Sequence, residues 1–69
     1  MDLWNAIGET AGIIYRNYVG RENYTNVSTI SKSIKKEKTM VLLALGWLAR
    51  EGKASVIKNG SKFEAKIIS

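Results

Sequence analysis

Apolar residues recur along this chain with two different periods, and the change of period marks its elements. Leu3, Ile7, Ala11, Ile14 and Tyr18 fall at helical spacing, with Trp4 and Tyr15 widening the stripe. Asn5, Glu9 and Arg16 occupy the opposite side. Asp2 is a suitable N-cap and Gly20 a suitable stop, so an amphipathic helix is expected to about Val19. Gly8 and Gly12 lie one turn apart on the flank of this stripe. Each lowers helix propensity by about 1 kcal/mol relative to Ala, so the pair predicts a backbone or a large ring packed close by. Residues 21–26 form a connector, and Tyr24 to Asn26 is a candidate short strand. Ser28 is expected to cap a shorter second helix, with Val27, Ile30 and Ile34 giving a staple and a stripe. Residues 35–38 are the expected turn. The third helix should begin near Glu37 or Thr39 and end at Gly52, with Val41, Ala44, Leu45 and Leu48 as its core face.

After Gly52 the period drops to two. Residues 53–67 have Asn59 and Gly60 at their midpoint, and Asn-Gly is the strongest short signal for a two-residue hairpin turn. A type I′ turn on this pair would set Lys58 opposite Ser61, Val56 opposite Phe63 and Ala54 opposite Ala65. One face would then hold Ala54, Val56, Phe63, Ala65 and Ile67. The other would hold Ser55, Lys62, Glu64 and Lys66, with Ile57 its only large apolar residue. This alternation suits a half-buried hairpin. The order helix, short strand, helix, turn, helix, hairpin predicts an α+β, mainly helical, winged helix-turn-helix, as one domain over residues 1–69.

The third helix is unusual for that architecture. With Val41 at the centre of the buried side, Thr39, Leu43, Gly46 and Arg50 point away from it, flanked by Met40, Leu42 and Trp47. In a domain that reads DNA, this face enters the major groove and carries polar groups for base edges. Only Thr39 and Arg50 suit that task. Two explanations stand side by side. Met40, Leu42, Leu43, Gly46 and Trp47 form a self-association or partner surface. Alternatively, the first helix covers Trp47, with Gly8 and Gly12 making room.

Composition narrows the function classes. The 69 residues include no Cys and no His. Disulfides, Cys/His zinc sites, thiol nucleophiles and imidazole bases are therefore absent. The carboxylates are scattered, no Ser has an evident base, and no glycine loop has phosphate-cradle spacing. No catalytic residue, metal, cofactor or small-molecule substrate is expected. A domain this short buries only about 60% of its unfolded surface, so a second copy is an expected support. Residues 1–31 hold two basic and three acidic side chains, a charge of −1. Residues 32–69 hold nine basic and three acidic ones, a charge of +6. The positive half is the one that would meet DNA. No secretory leader is recognisable, and the longest apolar run, residues 40–49, is too short to span a bilayer. A cytoplasmic location is expected.

Two stretches carry a family resemblance. Trp4-x-x-Ile7-Gly8-x-x-Ala11-Gly12 and Ala44-Leu45-Gly46-Trp47-Leu48-Ala49-Arg50-Glu51-Gly52-Lys53 bracket most of the chain. Together they resemble small stand-alone winged helix-turn-helix domains of bacteria and archaea with no assigned function. The resemblance implies the fold, and DNA binding by analogy with the wider class. The turn at residues 35–38 is more basic than the family pattern, which favours an anionic partner. The candidate DNA contacts are Lys35, Lys36, Lys38 and Thr39 at the turn, Arg50 farther along, and Lys58, Ser61 and Lys62 at the wing tip. This set is poor in Arg, Asn and Gln, so salt-sensitive binding with weak sequence readout is expected. The competing expectation is a homodimerisation or protein-interaction module on the same scaffold, without DNA binding.

Overall fold

The N-cap of the first helix is Leu3 rather than Asp2, one residue later than expected, and the Asp2 carboxylate accepts the Trp4 backbone N–H at 2.8 Å from just outside it. In this computed structural model, which describes residues 2–69, the elements run α1 (Trp4–Tyr18), β1 (Thr25–Asn26), α2 (Val27–Ile34), α3 (Lys38–Arg50), β2 (Ala54–Asn59) and β3 (Lys62–Ile67). α1 buries Ala11, Ile14 and Tyr18 as the stripe requires, but Leu3 and Trp4 at its start are exposed. Thr10 is buried as well. Its hydroxyl donates to the Ala6 carbonyl at 2.7 Å, so the polar group is satisfied within the helix.

β1 runs directly into α2. The cap of α2 is Asn26 rather than Ser28: Asn26 keeps an extended backbone, and its side-chain oxygen accepts the Ser28 N–H at 2.7 Å. At the other end Lys35 adopts the left-handed conformation, φ 58° and ψ 45°. The Lys36 N–H then reaches back to the Ser31 carbonyl at 3.1 Å, and the Ser31 hydroxyl donates to the Lys36 carbonyl. These contacts fix the sharp turn that separates α2 from α3. α3 ends in a Schellman arrangement, with the Lys53 N–H on the Leu48 carbonyl and the Gly52 N–H on the Ala49 carbonyl.

The hairpin is present, but its register differs by two residues from the expected one. Ala54 pairs with Ile67, Val56 with Ala65, Lys58 with Phe63 and Asn59 with Lys62. The loop is therefore Gly60 and Ser61. Among the described residues Lys35 is the sole non-glycine at positive φ, so Ser61 lies at negative φ while Gly60 has φ 67°. A glycine in the first loop position is what a type II′ turn needs, not the type I′ turn expected of Asn59 and Gly60. A slip of two preserves the faces, so Val56 and Phe63 still share a side but lie diagonally. The slip also brings Ile67 opposite Ala54, where both are buried.

β3 is central in the sheet, with the antiparallel neighbours β1 and β2 on either side. The core lies between α1, α2, α3 and the base of the hairpin, where Ile14, Ile30, Val41, Leu45 and Ile67 are buried. Farther out the hairpin projects beyond the body, and Val56 and Phe63 are not the core residues their face suggests. Phe63 is 38% exposed.

Candidate nucleic-acid interface

The projecting hairpin and the helix-turn-helix enclose a groove of about 420 Å³. One side comes from the starts of α2 and α3, with Asn26, Val27, Ser28, Lys38 and Leu42. The other is the wing tip, with Ser61, Lys62 and Phe63. Three of the expected contact residues, Lys38, Ser61 and Lys62, thus share one site although they are far apart in sequence. Lys35 and Lys36 belong to the adjoining turn, and Thr39 follows Lys38 on α3, exposed to solvent. None of these three lines the groove. Lys58 stands beside it, with its ammonium 5.6 Å from the centroid of the Phe63 ring. Arg50 is the last residue of α3, about 18 Å along the axis from Lys38.

The start of α3 is electrostatically mixed. Its N-cap residue, Glu37, makes no side-chain cap to the first amides of the helix. Three lysines surround this single carboxylate within residues 35–38, and the positive end of the helix dipole adds to them.

The outward side of α3 carries Thr39, Leu43, Gly46 and Arg50, all exposed, as projection of the sequence expects. Trp47 is accounted for within the chain. It meets Trp4 edge-to-face, with ring centroids 4.9 Å apart and planes at 64°. Trp47 and Leu42 both pack against the core, and Met40 is half-buried. Of the five residues expected at a dimer surface, Leu43 and Gly46 are the exposed ones.

The two helix-1 glycines serve this packing less than their spacing suggests. A Cβ at Gly8 would sit 3.7 Å from the Trp47 ring, an ordinary contact distance. A Cβ at Gly12 would meet Arg16 of its own helix rather than α3.

Phe63 is the site residue that sequence reasoning assigns elsewhere. Strand alternation places it correctly on the inward face of the wing. It does not reveal that the body stops short of the wing tip. Among the described residues, no helix is long and apolar enough to cross a membrane.

Comparison with known proteins agrees with this architecture. A family model described as "Winged helix-turn-helix domain (DUF2582)" matches residues 1–66. The uncharacterized protein MJ1608 of Methanocaldococcus jannaschii is 44% identical over 69 residues, covering 96% of each chain. Winged helix-turn-helix domains as a class point to nucleic-acid binding in general. With its three helices, β1-β3-β2 sheet and a family match spanning nearly its whole length, the chain belongs to the winged helix-turn-helix domain family (DUF2582).

Proposed function

We propose that this protein is a DNA-binding module of the transcription-regulator type, cytoplasmic, with weak sequence readout. The supporting observation is the groove with Lys38 on one side and Ser61 and Lys62 on the other. Two cations from separate elements flank one concave surface, which suits a phosphate backbone. Lys35, Lys36 and Thr39 extend the same contact set across the helix-turn-helix. Lys58 extends it along the wing, and Arg50 supplies a contact at the far end of α3. The outward face of α3 offers Leu43 and Gly46 where base-reading side chains would stand, so affinity comes from phosphates more than from base edges.

The experiment is a salt titration of binding to random-sequence duplex DNA. Affinity should fall log-linearly with salt. Replacing Lys35, Lys36 and Lys38 with Gln should weaken binding on all sequences alike. The salt slope should drop by about 1 for each phosphate-contacting lysine removed. Absence of binding by the unaltered protein at low salt would overturn the proposal.

A second possibility, homodimerisation through α3, is favoured by one observation: Leu43 is 43% exposed in the middle of an apolar helix. Leu43 and Gly46 would form its centre, with Met40, Leu42 and Trp47 at the margins.

A further inference from the structure

We propose that the groove at the wing tip takes an unpaired DNA strand, with one base stacked on the Phe63 ring and the adjoining phosphates on Lys38 and Lys62. This rests on the DNA-binding role proposed above and specifies the form of DNA bound. Phe63 lies on the inward face of the hairpin, yet it is 38% exposed and lines the groove. Val27 and Leu42 line the same space, so its lining is apolar enough to receive a desolvated base. Lys38 and Lys62 are both exposed groove residues, and Lys58 adds a third cation above the ring. An aromatic platform beside several ammonium groups is the combination that binds single strands, because every base has a π-face and every linkage a phosphate.

A base within duplex is stacked on both sides and hydrogen-bonded at its edge, so a ring inside a groove cannot reach its face. A base that stacks on Phe63 is therefore an unpaired one. The groove's volume, about 420 Å³, falls in the range of sites that enclose small organic groups. Its polar lining also has capacity to spare. The Asn26 side-chain oxygen is engaged by the Ser28 N–H, which leaves the Asn26 amide N–H2 as a donor for a pyrimidine carbonyl. Leu42, partly exposed in the lining, suits a thymine methyl, which selects DNA. The outward face of α3, with Leu43 and Gly46, has few groups for major-groove readout, whereas stacking requires none.

The test is fluorescence anisotropy at low salt with four labelled probes: oligothymidylate, an abasic strand of equal length, oligouridylate and a blunt duplex. Oligothymidylate should bind more tightly than the abasic strand and than oligouridylate. Phe63→Leu should weaken oligothymidylate binding by about 5- to 100-fold, a larger loss than for the duplex, and be rescued by Phe63→Trp. Equal affinity for the abasic strand and oligothymidylate would overturn the proposal, and this comparison uses the unaltered protein, so it stands even if a variant misfolds. A folded Phe63→Leu variant with unchanged oligothymidylate affinity would overturn it as well. Tighter binding of oligouridylate would overturn the assignment to DNA. Duplex binding without oligothymidylate binding would overturn the single-strand site and leave the DNA-binding role standing. No binding of any probe would overturn both.

Discussion

Gly60 holds the tip of the wing at φ 67°, a region that a β-branched side chain resists. Gly60→Val should therefore lower stability by about 1–3 kcal/mol, seen as a lower thermal midpoint with helical circular dichroism retained below it. An unchanged midpoint would show that the turn relaxes without strain. The same residue marks where sequence reading stops. Asn59-Gly60 and Gly60-Ser61 are both acceptable two-residue loops, and a register shift of two keeps every side chain on its own face. Local signals locate the hairpin but cannot choose between these loops. The observed choice sets Ile67 opposite Ala54 at the buried base of the hairpin, a contact with the body that no turn rule contains. Phe63 is a similar case. Its face follows from alternation, whereas its exposure depends on how far the helices reach beneath the wing. Lys38, Ser61 and Lys62 were legible as site candidates because charge and fold type alone point to the helix-turn-helix and the wing tip.

At the scale of elements, periodicity finds all three helices, and capping chemistry moves their ends by a residue or two. Asn26 replaces Ser28 as cap because β1 ends there, leaving an extended residue with an amide side chain at the helix start. α3 is the element whose composition most needs its surroundings. One flank carries Trp47 against Trp4 and Gly8, another carries Leu42 toward the core and the groove, and the outward side is left with Leu43 and Gly46. A Cβ at Gly46 would meet nothing within 4 Å. Gly46→Ala should therefore raise stability by up to about 1 kcal/mol through helix propensity alone, measured as a higher urea midpoint with unchanged slope. A loss of stability at this position would mean that something packs closely against the helix in solution, and a second α3 is the obvious candidate.

At the scale of the molecule, two demands meet on α3. A chain of 69 residues without Cys has little stability in reserve, and a partner helix over Leu43 would add to it. Burying one such side chain contributes about 1.5–3 kcal/mol relative to exposure, and a two-fold interface counts it twice. The same contact would close the outward face of α3 to the major groove of DNA. Duplex binding and dimerisation through α3 would thus compete, linked by mass action. Leu43→Glu separates them. If α3 is a self-association surface, the unaltered protein should sediment as a dimer at high concentration, and the variant should sediment as a folded monomer. The Trp4–Trp47 pair lies within one chain, so it should keep Trp47 shielded in that monomer and leave its near-ultraviolet circular dichroism in place. DNA affinity per chain should then fall as the unaltered protein is concentrated but stay constant for the variant. An unaltered protein that remains monomeric at high concentration would show that Leu43 is an ordinary exposed apolar residue. The apolar character of α3 would then belong to packing within the chain.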